Sequence, residues 1–216
     1  LLIINKPAGV AVHGGSGVSY GVIEQLRAAR PEAKFLELVH RLDRDTSGIL
    51  LLAKKRTALT NLHEQMRDGH TDKRYLTLVY GDWQNSRQHV KLALHKYTGA
   101  DGERRVRVQA DGMASHTIFN LLRKYGEFAL LEAELKTGRT HQIRVHFSAL
   151  GHPLVGDTTY GADPVLAKSL EMRRPWLHAK ELNFDHPTTG EHLSFQAPYP
   201  ADLTRSLALL SDAVLP

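Results

Sequence analysis

The sequence predicts an α+β fold: a largely antiparallel, mixed sheet with flanking helices. Three observations carry this. Short apolar runs read as strands over most of the chain, and from Tyr75 to Leu135 they follow one another almost without interruption. Helical spacing appears only in a few separate stretches. The two patterns never settle into the strict strand–helix alternation that a parallel sheet requires.

In chain order, "LLIIN" (Leu1–Asn5) reads as a strand stopped by the turn "KPAG", and "HGGSG" (His13–Gly17) as a flexible loop. Ser19 to Arg30 suits a helix with Val22, Ile23 and Leu26 on one face and Pro31 ending it. Phe35–Val39 and Ile49–Ala53 are too short and too apolar for amphipathic helices and read as buried strands. Thr57 to Asp68 places Leu59, Leu62 and Met66 at helical spacing, with Gly69 as the stop. The strand series is "YLTLVYG", "HVKLAL", "RRVRVQA", "HTIFNLL" and "FALLEAEL". Thr140–Leu150 is predicted helical, with Ile143, Phe147 and Leu150 facing the core. Leu182 to Ala197 reads as a hairpin around "DHPTTG", and Ala201–Leu210 as a final helix. There is no internal repeat, and no linker long enough to separate independent domains, so residues 1–216 are expected to form one domain.

Composition narrows the functional classes. With 42% hydrophobic and 24% charged residues the chain has an ordinary globular make-up. It has no cysteine, which excludes disulfides, thiolate metal sites and a cysteine nucleophile. No apolar run approaches the roughly 18 residues of a membrane span, and no charged-then-apolar leader opens the chain, so a soluble cytoplasmic protein is expected. The net charge of +5 permits a polyanionic partner.

Chemistry concentrates in two segments. "HRLDRDTSG" (His40–Gly48) packs two aspartates and two arginines between apolar runs. A carboxylate at the end of buried strands is partly desolvated and tends to protonate unless a cation holds it ionised; ionised, it serves as a nucleophile or general base. Asp before Ser/Thr and Gly is also common turn chemistry, which suits Asp45 in "DTSG". The residues alone leave open which aspartate works. "KTGRTHQIRVH" (Lys136–His146) has Lys136, Arg139 and Arg144, two histidines and no acid. On a helix from Thr140, the side chains of His141, Arg144 and Ser148 share one face, opposite the apolar line, looking into a cleft or solvent. A solvated basic face and a helix aiming an arginine at a buried carboxylate both fit that placement. In "KRYLTLVYG", alternation puts Tyr75, Thr77 and Val79 on one strand face and Leu76, Leu78 and Tyr80 on the other.

Taken together and in order, "NKPAG", "HRLDRDTSG", "KRYLTLVYG", "GRTHQIRVH", "GHPLVGDTTYG" and "LHAKELNFDHPTTGE" resemble the RluA-type pseudouridine synthases, from Leu1 to about Pro200. Within that family, "AVHGGSGVSYGVIEQLR" and "FLELVHRLDRDTSG" are most similar to a subgroup that modifies uridines of 23S ribosomal RNA. The resemblance implies the pseudouridine synthase fold, with a bilobed catalytic domain and a central active-site cleft. It implies that the aspartate of "RLD", Asp43, is catalytic, leaving Asp45 as loop structure. It implies that Tyr75 contacts the target base, that Arg144 pairs with the catalytic aspartate, and that Arg41 fills the space left by the flipped nucleotide. Arg139 and His141 are expected to bind RNA. Isomerising uridine to pseudouridine involves no net redox change or hydrolysis, so no cofactor and no metal are expected, and no phosphate-cradling glycine motif is present. The expected partner is large-subunit ribosomal RNA, with no membrane, and the chain is expected to be a monomer. The subgroup usually carries an N-terminal S4 RNA-binding module; this sequence begins directly on a strand, as a catalytic-domain fragment would.

Four rival readings exist, three of them of another class. A pseudouridine synthase acting on tRNA would share these motifs. A catalytically silent rRNA-binding module would keep the basic face without using Asp43. An aspartic protease would use "DTS" (Asp45) and "DTT" (Asp157), but neither has the glycine that normally follows, and Arg44 opposes proton sharing. A metal hydrolase fits poorly, since no "HExxH" occurs and His141 and His146 fall on different helix faces.

Overall fold

The computed structural model describes residues 1–15, 17 and 20–213. Ser16, in the loop expected over His13–Gly17, and Ser19, the expected start of the first helix, lie outside the described residues. The elements in chain order are β1 (Leu2–Lys6), α1 (Val22–Ala29), β2 (Glu37–Leu38), β3 (Ser47–Ala53), α2 (Arg56–Arg67) and β4 (Asp72–Tyr80). There follow β5 (Arg87–Thr98), β6 (Arg104–Val108), β7 (Met113–Tyr125), β8 (Phe128–Leu135) and α3 (Gln142–Ala149). After a 3-10 turn at Thr158–Tyr160 come α4 (Pro164–Ser169), β9 (Leu177–Asp185), β10 (His192–Gln196) and α5 (Ala201–Ala213). The chain divides into two compact units: Leu1–Lys73 with His178–Pro198, and Arg74–Leu177 with Tyr199–Pro216.

In the first unit, β3 is the central strand. It runs antiparallel to β1, from Leu2 opposite Leu52 to Lys6 opposite Gly48, and parallel to β9 at Ser47/His178 and Gly48/Ala179. Every residue of "SGILLLA" is buried. Ile49, Leu51 and Ala53 pack with Leu62 of α2 and with Leu182 and Phe184 of β9, forming this unit's core. The strand expected over Phe35–Val39 shrinks to Glu37–Leu38. Val39 N–H still bonds the Leu51 carbonyl (3.0 Å), but the Leu51 N–H then donates to His40 Nε2 (3.1 Å). A side chain has taken the place of the next ladder partner, and the strand ends there.

In the second unit the strand order is β4-β8-β7-β5-β6, and the β7–β8, β5–β7 and β5–β6 pairs are antiparallel. Leu76 and Leu78 of β4 and Leu130 of β8 join Trp176, Leu203 and Leu210 in one core cluster of this unit. On the other sheet face α3 lies over β7, β5 and β6: Phe147 stacks on Phe119 at 4.0 Å, and Val145 packs with Leu94 and Val106. The short α4 and the 3-10 turn were not expected. Each is too brief for a periodic signal, although Asp163 capping the Val165 N–H, ahead of Pro164, is a readable helix start.

Candidate active site

Asp43 lies between β2 and β3 in the first unit, half-buried, beside exposed Arg41 and buried Leu42. Leu42, 6% exposed, anchors the segment between Arg41 and Asp43. The Asp43 carbonyl accepts the Thr46 N–H (3.0 Å), closing a turn in which Arg44 Nε sits 3.5 Å from the Asp45 carboxylate. Lys6, from the "NKPAG" turn, holds this loop. Its side chain is fully buried, and its ammonium donates to the carbonyls of Pro7 (2.9 Å), Val10 (2.8 Å) and Arg44 (2.9 Å). The Gly9 N–H also bonds the Arg44 carbonyl at 2.9 Å. At the loop's end Gly48 has φ +118°, and a Cβ there would stand 2.1 Å from the Ala179 carbonyl oxygen, so only glycine lets β3 approach β9.

The second unit holds Tyr75, Arg139, His141 and Arg144. Tyr75 is buried on β4. Because Leu76 and Leu78 join the Trp176 cluster, alternation turns Tyr75 and Thr77 to the opposite sheet face, the one that α3 covers farther along. Helix α3 starts at Gln142, two residues later than expected, because His141 takes a left-handed conformation with φ +52°. Two polar side chains one turn apart fasten this helix to β7. Gln142 Nε2 donates to the His116 carbonyl (3.0 Å) and Thr117 Oγ1 (2.8 Å), while its Oε1 accepts from Thr137 (2.6 Å) and the Arg139 N–H (3.0 Å). His146 is fully buried, with Nε2 2.8 Å from Ser115 Oγ and Nδ1 2.8 Å from Thr117 Oγ1. Burial pushes this imidazole down to about 4, so it is neutral at pH 7.

So fastened, α3 directs Arg144 onto the 3-10 turn. The Arg144 guanidinium makes a two-pronged pair with Asp157, Nε to Oδ2 and Nη2 to Oδ1, both 2.9 Å, and its plane lies 4.9 Å from the Tyr160 ring centre. His141 Nδ1 stands 2.6 Å from the Tyr160 hydroxyl, and Ser148 Oγ donates to the Tyr160 carbonyl at 2.8 Å. His141, Arg144 and Ser148 therefore do share a helix face. Of the two surroundings expected for that face, a cleft or solvent, open solvent does not apply, because the "GDTTYG" turn packs against it. Arg139 is exposed, with its Nε bonded to the Ala114 carbonyl at 3.0 Å.

Asp157, Tyr160 and Lys6 escaped the sequence reading as contributors to the site. Their motifs stood out, but Asp157 was weighed only as half of a protease dyad. Both of its carboxylate oxygens are engaged by Arg144, which removes it from any proton-sharing pair. Among the described residues no group of three or more His, Cys, Asp or Glu could hold a metal ion. None of their helices is long and apolar enough to cross a membrane.

This α+β architecture with a mixed sheet is shared with solved structures. A human structure described as RNA pseudouridylate synthase domain containing 4 matches with a TM-score of 0.78 at 26% identity, covering 97% of this chain and 89% of that one. The human domain-containing-1 protein matches with a TM-score of 0.72 at 30% identity, covering 92% and 80%. The RNA pseudouridylate synthase family model matches residues 1–149. The chain belongs to this family. It is 51% identical over 215 residues to a Pasteurella multocida protein named ribosomal large subunit pseudouridine synthase C, covering 98% of this chain and 66% of the relative. Its match to the Escherichia coli K12 protein of the same name is 50% over 217 residues, covering 99% and 68%. The chain thus spans about two thirds of the length of these relatives.

Proposed function

We propose that this chain is the catalytic part of an enzyme that isomerises uridines of large-subunit ribosomal RNA to pseudouridine, acting as a cytoplasmic monomer. The observation that carries this reading is 50–51% identity over almost the whole chain to relatives named for that reaction. The chemistry suits the residues. The N1–C1′ bond of uridine breaks, the base turns, C5 bonds to C1′, and the proton on C5 is lost as N1 gains one. Asp43 supplies the carboxylate that attacks C1′ or takes the adjacent C2′ proton, and both routes need it ionised. Arg144 is assigned the positive charge that keeps it so, and Tyr75 the contact with the target base. Arg41 takes the room of the flipped nucleotide, whose extrusion costs a few kcal/mol, and Arg139 and His141 bind RNA. A loop fastened by a buried ammonium supports this, because a nucleophile works best on a scaffold that does not move.

The test uses rRNA labelled with tritium at uridine C5, from which each turnover releases label. The wild-type chain should release tritium. Asp43→Asn, which keeps the shape and removes the charge, should release none while still binding RNA, and Asp45→Asn should retain most of the activity. An active Asp43→Asn beside a dead Asp45→Asn would reverse the assignment. RNA binding without release by the wild type would make the chain a silent binding module.

A further inference from the structure

The strands that α3 covers have a second face. Along β5, β6 and β7 the apolar side chains Val90, Leu94 and Val106 are buried, Leu94 and Val106 beneath Val145 of α3, so their neighbours in sequence point the other way. Strand register sets these outward residues side by side, Lys91 opposite His116 and His95 opposite Arg107. Lys136, whose N–H bonds the His116 carbonyl, continues the row at the end of β8. His89 stacks on His116 at 5.2 Å, and Arg107 lies over the ring of Tyr97 at 5.0 Å. His89, Lys91, Arg107 and Lys136 are all exposed. Of the acids nearby, Glu132 is paired with Arg74, Glu134 with Arg74, Arg87 and, at 3.8 Å, Lys136, and Asp111 accepts from Gln109 at the margin. Among the described residues this leaves Lys91 and Arg107 as the row's cations without a carboxylate pair. Burial, and then the charges of Lys91, His89 and Lys136, depress the pKa of His116. A field that disfavours one more positive charge is a field that attracts anions.

We propose that this cationic sheet face is a second RNA-docking surface, gripping the phosphate backbone of the substrate away from the target uridine. The inference rests on the reading of the chain as an RNA-modifying enzyme. Arg144 and its helix occupy the opposite face of the same strands, so the two surfaces engage different stretches of RNA. Same-face residues along a strand stand about 7 Å apart, a spacing that suits the repeating charges of a nucleic-acid strand. The Arg107–Tyr97 stack adds a flat surface for an unpaired base.

The double variant Lys91→Glu/Arg107→Glu tests the proposal against the charge-matched control Lys34→Glu/Lys168→Glu, once both show the wild-type urea midpoint. Binding of a large-subunit rRNA fragment is titrated across a range of salt concentrations. The face variant should bind on the order of tenfold more weakly, and its salt dependence should be shallower by about two phosphate contacts. The control should bind as the wild type does. Wild-type affinity and slope in the face variant would overturn the proposal, as would an equal loss in the control or equally effective competition by polyglutamate. If the wild-type chain released no tritium yet showed this difference in binding, the docking face would stand and the pseudouridine reading would fall.

Discussion

The side chain of Arg144 is engaged along one edge by Asp157 and across its plane by Tyr160. Asp157 is 1% exposed and Arg144 12%, so the pair is nearly dry. Breaking it from one side should therefore be expensive: Asp157→Leu should lose about 3–5 kcal/mol of stability, because a nearly buried guanidinium loses the carboxylate that both of its prongs engage. Adding Arg144→Met replaces both charges with apolar groups and should restore most of that loss. Tritium release should not return with it, because the proposed chemistry needs the guanidinium itself. Urea denaturation alongside the release assay reads both quantities, and a double variant that turns over RNA would show that Arg144 is a structural strut. At this scale the sequence was informative about spacing and uninformative about cover. Helical periodicity put His141, Arg144 and Ser148 on one face, but no local pattern says that a turn more than ten residues downstream closes over it. That contact is set by tertiary packing.

Among the elements, β3 depends on a single glycine. Its parallel approach to β9 leaves no room for a Cβ at position 48, and the backbone there is in a region that L-residues avoid. Gly48→Ala should cost about 4 kcal/mol or more, enough to count among severe substitutions. An unchanged chemical midpoint in that variant would contradict the described register. Several elements were legible from pattern alone: β8 matches its expected Phe128–Leu135, and α2 and α5 begin within a residue of their expected starts. Those segments have strong periodicity and clear stops. The β3–β9 pairing was not legible, because it joins residues about 130 positions apart and leaves no trace in either segment. The curtailed β2 was hidden for another reason: nothing in "FLELVH" announces that His40 will take the place of a backbone partner.

For the whole molecule, His40 in the first unit and His146 in the second shape the response to acid. Burial, with a smaller effect of the Lys73 charge, pushes His40 down to about 3, and burial pushes His146 to about 4. Both values lie below the ordinary 6.5 of an unfolded chain, so below pH 6.5 the unfolded state binds protons that the folded state refuses. Stability from these two groups is complete above pH 6.5 and is lost as pH falls toward 4, each adding up to about 1.4 kcal/mol per pH unit to the slope. Urea midpoints should fall steeply between pH 6.5 and 4.5, and the slope should flatten in His40→Asn/His146→Asn even if the midpoint at pH 7.5 is lower. An unaltered slope would show that carboxylates alone govern acid unfolding. The division into two units had no signature in composition, because two of its boundaries fall inside the strands β4 and β9 and the third in the short connection between β10 and α5.

The buried ammonium of Lys6 bears on how recognition unfolds in time. To rearrange, the Asp43 loop would have to break the bonds that its Arg44 carbonyl accepts from the buried Lys6 ammonium and from the Gly9 N–H, in a place without water to replace them. The loop is thus slow to deform on the timescale of an encounter with RNA. Induced fit at this point falls to the nucleic acid, and the entropy of ordering the loop has already been spent in folding. With Asp43 as the proposed catalytic residue, a target uridine should be selected in part by how easily its surroundings bend to a fixed template, which makes RNA deformability a component of sequence choice.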